Sequence, residues 1–150
     1  MEKDTIQTKC WWEKESVCPF KPCSSFMIVG ATKSGKTQWV KKLLEQQSGM
    51  FVENVPEKVL YCYGVDQPAF DDMRKTIPNI EFQQGLPDED KVEEVLSRHT
   101  VIVLDDLMSD VLVNPRIEKL FTLGCHHKNL SVIYITQNLF AQGKSPGLSV

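Results

Sequence analysis

Residues 30–37 read GATKSGKT, a complete instance of G-x-x-x-x-G-K-[ST], and no other stretch constrains the fold as strongly. Average residue frequencies give a random chain of this length roughly one chance in two hundred of showing the pattern. The flanks strengthen it. Phe26–Val29 is a short apolar run that reads as a buried strand. From about Lys36 to Gln47 apolar residues recur at helical spacing, with Gly49 placed to end the helix. Between strand and helix, Gly30 and Gly35 let the backbone curl so that its N–H groups surround a phosphate, with a helix N-terminus behind them. Lys36 then supplies a cation to the β- and γ-phosphates, and the Thr37 hydroxyl is placed for Mg2+. The candidate nucleotide contacts are therefore Gly30, Ala31, Thr32, Lys33, Ser34, Gly35, Lys36 and Thr37.

The rest of the chain repeats the alternation. Val59–Tyr63, Ile80–Phe82, Val101–Leu104 and Ser131–Thr136 read as strands, and Pro68–Lys75 and Asp88–Arg98 as helices. Asp88, Glu89 and Asp90 at the start of the latter, with Arg98 and His99 at its end, suit the helix dipole. Asn114 and Pro115 look like the N-cap and first residue of a further helix reaching Leu123 and closed by Gly124. Continuously apolar strands alternating with helices predict an α/β domain, a mostly parallel sheet with helices on both faces. The expected division is an irregular lead-in over 1–24, carrying Trp11 and Trp12, a domain over 25–143 and a tail over 144–150.

Composition narrows the function classes. Hydrophobic residues at 41% and charged residues at 25% suit a soluble domain with a real core. Seventeen basic against 20 acidic side chains leave a net charge of −3, so a fold-wide basic field for nucleic acid is excluded while a local basic loop is not. The apolar runs are too short for a bilayer and MEKDTIQTKC has no signal-peptide core, so an intracellular, soluble protein without a membrane partner is expected. Cys18, Cys23, Cys125, His126 and His127 can be combined into a metal site on paper. Reduced structural thiols are the preferred reading, because Pro19 and Pro22 spoil the spacing of a zinc knuckle.

A nucleotide-hydrolysing site needs a second anchor for Mg2+ at the end of a neighbouring strand. VIVLDD at 101–106 offers Asp105 as the metal carboxylate and Asp106 as base or water-orienting group. Two acids that merely open a loop are the alternative. SVIYITQN at 131–138 ends another strand in Gln137, which at the ligand crevice of an open sheet would hold the attacking water or sense the γ-phosphate, or else is an ordinary polar terminus. The candidate catalytic set is Lys36, Asp106 and Gln137, the metal set Thr37 and Asp105. Arg74, Arg98, Arg116 and Lys128 are the cations from which a finger across a subunit interface would be drawn, and one sequence does not choose among them.

With these motifs in order, the chain resembles the poxvirus-type genome-packaging ATPases of double-stranded DNA viruses and related mobile elements, within the FtsK/HerA group of P-loop ATPases. The matching stretches are SFMIVGATKSGKT, VIVLDDLM and FTLGCHHKNLSVIYITQNLFAQGK, and the likeness extends from about Phe20 to Lys144. The resemblance implies a P-loop NTPase with a RecA-like sheet whose Gln137 strand lies between the phosphate-loop strand and the Asp105 strand. It implies ATP and Mg2+ as ligands, with Lys36 and Thr37 on nucleotide and metal, Asp105 on metal, Asp106 as catalytic carboxylate and Gln137 as sensor. It further implies double-stranded DNA as partner, a homo-oligomeric ring, contact with capsid proteins, and a location in host cytoplasm, nucleus or virion. Family members continue past TQNLF with more strand and helix, whereas this chain runs into SPGLSV. The expectation is a C-terminally truncated form lacking the last strand, with the phosphate-loop strand left as an apolar, association-prone edge.

Rival classes fit less well. A GTPase would carry N-K-x-D and D-x-x-G, and neither is present. A small-molecule kinase would carry an arginine-rich lid, and no arginine follows Gln137. The remaining alternative to a DNA-translocating ATPase is a viral or transposon relic that binds nucleotide without efficient hydrolysis.

Overall fold

Strands apolar on both faces need cover on both faces, and that requirement sets the architecture. The computed structural model describes residues 20, 23–51, 55–107, 114, 115, 120 and 130–138. Its elements run β1 (Ser25–Val29), α1 (Lys36–Glu45), α2 (Gln47–Met50), β2 (Lys58–Tyr63), α3 (Ala69–Thr76), β3 (Ile80–Gln84), α4 (Glu89–Leu96), β4 (Thr100–Asp105) and β5 (Leu130–Thr136). All five strands are parallel, in the order β1-β5-β4-β2-β3. This is an α/β sheet consistent with the RecA-like class, and the Gln137 strand does lie between the phosphate-loop strand and the Asp105 strand. No helix among the described residues is long and apolar enough to cross a membrane.

The order follows from the connections. From β1 the chain passes over two strand positions through α1 to reach β2, then steps outward through α3 to β3. It turns back through α4 to β4. Parallel crossovers keep one hand, so a reversal of direction moves the helix to the opposite face. The side chains record this. Val59, Tyr61, Val101, Val103, Ile133 and Ile135 pack with Val40, Leu43 and Leu44 of α1 and Phe70 and Met73 of α3. The alternate residues Leu60, Cys62, Ile102, Leu104, Val132 and Tyr134 pack with Val92 and Val95 of α4 and with Leu120. All residues of β4 and β5 are buried.

Boundaries shift from the sequence reading in instructive ways. The first helix stops at Glu45, where Gln46 leaves helical geometry, and Gly49 lies inside the short α2 instead of ending α1. Gln47 is held there by a reciprocal amide pair with Asn79, at 3.0 and 2.9 Å. Helix α4 ends at Leu96, with Asp88 as its N-cap accepting from the Lys91 amide at 2.9 Å. Arg98 and His99 therefore lie beyond its last turn. The Ser97 hydroxyl donates to the Glu94 carbonyl, and His99 is buried edge-on to Phe51, both ring nitrogens unpaired among the described residues. Most of the expected helix from Asn114 to Leu123, the tail, and Trp11 and Trp12 lie outside the described residues. Phe20 of the lead-in stacks on Phe26 at 4.6 Å and donates its amide to Met50.

Strand β1 pairs with β5 alone among the described residues. Phe26 and Ile28 pack inward, while Met27 and Val29 are 51% and 40% exposed. The far edge is occupied differently, by an ion-pair network. Lys58 bonds Glu81 at 2.6 Å and Glu94 at 2.7 Å, and Lys91 bonds the same two carboxylates at 2.6 and 3.0 Å. The Lys58 and Lys91 ammoniums hold Glu94 down to about 2 and lower Glu81 as well. Depressed carboxylates contribute stability above the ordinary glutamate value and lose it as pH falls toward the folded-state value. The melting temperature should therefore decline from about pH 4.5 to about pH 2. Lys58→Met should flatten that part of the profile, by an amount that shrinks in high salt because the glutamates are solvent-exposed. Thermal melts of both proteins across the window check this; superimposable profiles would remove the network from the account.

Candidate functional site

The loop after β1 begins where the strand's last pairing ends, with the Gly30 amide still donating to the Thr136 carbonyl at 3.3 Å. The chain then curls through Lys33 at φ +63° and Gly35 at φ +91°, and Gly35 caps α1. Gly30 has no left-handed φ, so the expected curl depends on Lys33 and Gly35. Gly30 is tight for another reason: an added Cβ would meet the Ser34 hydroxyl at 2.7 Å. Inside the loop the Lys36 ammonium donates to the Gly30 and Ala31 carbonyls at 2.6 and 2.7 Å.

Strand periodicity delivers the acid. Asp105 follows Val101 and Val103 by the two-residue period, so its carboxylate belongs to the sheet face covered by α1. Thr37, in the first turn of α1, donates its hydroxyl to Asp105 Oδ2 at 3.5 Å. The same oxygen accepts from the Tyr61 hydroxyl on β2 at 2.7 Å. Burial raises the Asp105 carboxyl above the usual aspartate range, with Asp106 adding to the rise, while Tyr61, Thr37 and Lys36 oppose it. Burial, with the Asp105 charge beside it, also pushes the Tyr61 phenol well up, so the phenol remains a donor. Cys62, the next residue, faces the other side and is pushed up to about 12 by burial, which leaves an inert thiol.

Asp106 breaks the alternation. It takes φ +55° and is exposed, with its amide donating to Ile135 at 3.2 Å. Gly64, just beyond β2, donates to the Asp105 carbonyl at 3.1 Å. A Cβ at Gly64 would stand 2.8 Å from the Asp106 carbonyl oxygen, so glycine is what lets the two loops touch. Thr136 turns back on Asn138 through its hydroxyl and leaves Gln137 exposed.

These groups share one cavity of about 440 Å³ at the carboxyl ends of the strands, the usual place for a ligand in an open parallel sheet. It is lined by Thr32 to Thr37 of the loop together with Asp105, Asp106 and Gln137. Gly30 and Ala31 are not in its wall, although their carbonyls hold Lys36. Val65 and Gln67, from the turn after β2, also line the cavity and carry no motif. Sequence reasoning missed them along with Tyr61 and Gly64. Nothing in KVLYCYG says which strand lies beside β4, and that adjacency alone brings the segment to the site.

A hydroxyl and a carboxylate within 3.5 Å of each other are hard oxygen donors suited to Mg2+, which takes few protein ligands and completes its shell from water and phosphate. No group of three or more His, Cys, Asp or Glu side chains gathers as a metal centre among the described residues. Of the paper metal site only Cys23 is described; Cys18, Cys125, His126 and His127 lie outside.

Of the candidate finger cations, the two that are described, Arg74 and Arg98, do not line this cavity. Arg74 lies over the Phe82 ring at 4.5 Å and pairs with Asp71 at 2.8 Å. Arg98 precedes β4, at the opposite end of that strand from Asp105. Arg116 and Lys128 are outside the described residues. Compared with known proteins, the chain matches no family model and no curated sequence.

Two glycine substitutions test how the frame is held. Gly35→Ala should cost roughly 1–2 kcal/mol because alanine resists the left-handed region. Gly64→Ala should cost roughly 1–3 kcal/mol, since the clash is with backbone rather than with a side chain that can rotate. Urea denaturation measures both; a neutral Gly64→Ala would show that the β2 and β4 loops are free to separate.

Proposed function

We propose that the chain binds ATP with Mg2+ in this cavity and that the site is of the ATP-hydrolysing kind. One observation carries the reading: the complete phosphate-loop pattern is folded as strand, loop and helix, and its Thr37 reaches the buried Asp105 across the sheet face. Loop N–H groups and the start of α1 favour a phosphate chain, and the Lys36 ammonium turns from the loop carbonyls to the phosphates. Thr37 and Asp105 hold the cation, which when bound neutralises phosphate charge and fixes the outer phosphates. Asp106 and Gln137, both exposed at the cavity, orient water for attack on the γ-phosphate.

The finer reading is a ring-forming ATPase that moves double-stranded DNA, as in the packaging ATPases that the three stretches resemble. Its support is that resemblance and the position of the Gln137 strand in the sheet. A second reading, nucleotide binding without efficient turnover, is favoured by a specific observation: neither Arg74 nor Arg98 reaches the cavity. ATP turnover measured with and without duplex DNA separates the two.

Lys36→Ala should weaken ATP binding roughly ten- to a hundredfold, the scale of losing a charged hydrogen-bonding partner. Calorimetry checks this, and equal affinities would sink the nucleotide reading. Asp106→Asn should bind Mg-ATP but hydrolyse it slowly, whereas Asp105→Asn should lose the Mg2+ dependence of binding. If the two variants behave alike in both assays, the division of roles between the acids fails.

A further inference from the structure

Asp105 Oδ2 accepts two hydroxyls that come from different elements, Tyr61 on β2 and Thr37 on α1. They differ in hold. The Thr37 contact is long, at 3.5 Å, on a side chain at the open end of a helix. The Tyr61 bond is short, at 2.7 Å, and the ring that makes it has no exposure at all. That ring packs in one cluster with Phe70 at 5.0 Å and Phe82 at 5.2 Å, so the phenol cannot swing away without opening the core. Thr37 is thus the partner able to turn toward a cation, and Tyr61 is the one that stays.

We infer that Tyr61 is a positioning residue for the divalent cation: its hydroxyl fixes one oxygen of the Asp105 carboxylate, and so fixes the direction in which the carboxylate meets the metal. This rests on the nucleotide reading of the same site. No recognised motif contains Tyr61; the bond exists because β2 lies beside β4 with Tyr61 opposite Val103, two residues before the acid on the same face. Partners that orient a metal ligand commonly contribute ten- to a hundredfold in metal affinity when removed. Tyr61→Phe deletes the hydroxyl and leaves the packed ring.

The test titrates fluorescently labelled ADP in EDTA, then Mg2+ at fixed ADP, on the full chain. Wild type should tighten its hold on ADP as Mg2+ rises. Tyr61→Phe should need roughly ten- to a hundredfold more Mg2+ for the same tightening, with its metal-free ADP affinity moving less than twofold. Phe82→Leu, which loosens the ring's packing but keeps the hydroxyl, should melt earlier yet raise the Mg2+ requirement far less than Tyr61→Phe does. Tyr61→Phe that keeps the wild-type Mg2+ requirement, or that does not fold, overturns the inference while leaving the nucleotide reading in place. So does Phe82→Leu that raises the requirement equally, because packing alone would then be the cause. Wild type that binds no ADP, with or without Mg2+, overturns both.

Discussion

A carboxylate at the end of a strand whose every residue is buried is the constraint on which the rest of the site depends. Burial disfavours its charge, and such a group persists only where donors or cations meet it. Here two hydroxyls do so, one from each element flanking the carboxylate. The fold must therefore bring β2 and α1 together over the end of β4, and the strand order does this. Packing α1 across the face that carries Val101, Val103 and Asp105 buries Val40, Leu43 and Leu44 and sets Thr37 over the acid in the same act. Core and site are one construction.

Much of this was legible in the residues. The phosphate-loop pattern with its apolar run and helical spacing fixed a strand, a loop and a helix, and β1 and α1 follow within a residue or two. Val101–Leu104 and Ser131–Thr136 were readable as buried strands because they are apolar without alternation, the mark of cover on both faces. The Asp105 and Gln137 termini then fell at the ligand end by the general geometry of parallel sheets. What the residues did not carry was adjacency. The position of the Gln137 strand came from resemblance, and the approach of β2 to β4 came from neither source. Tyr61, Gly64, Val65 and Gln67 went unseen for that one reason. His99 misled for another: a basic residue just past a helical pattern suits the dipole, but the helix ends three residues earlier and tertiary packing buries the ring.

The cations at the cavity bear on what the site can do. Lys33 and Lys36 line it, and Lys36 already has acceptors in the Gly30 and Ala31 carbonyls. A phosphate chain offers that ammonium stronger, charged acceptors, so exchange of carbonyl for phosphate favours binding. Transfer of a phosphoryl group asks for more, because charge spreads over its outer oxygens in the transition state and a further cation there is worth a thousandfold or more. Arg74 is committed to Asp71 and Phe82, and Arg98 belongs to the other end of β4. Neither can supply that charge from its own position. On the proposed reading, binding would draw on groups already gathered around the loop, whereas fast turnover would call for a cation beyond Lys33, Lys36, Arg74 and Arg98. If the proposed reading holds, that cation has to come from Arg116 or Lys128, which lie outside the described residues, or from a neighbouring subunit, and nucleotide would be turned over quickly only where it is supplied.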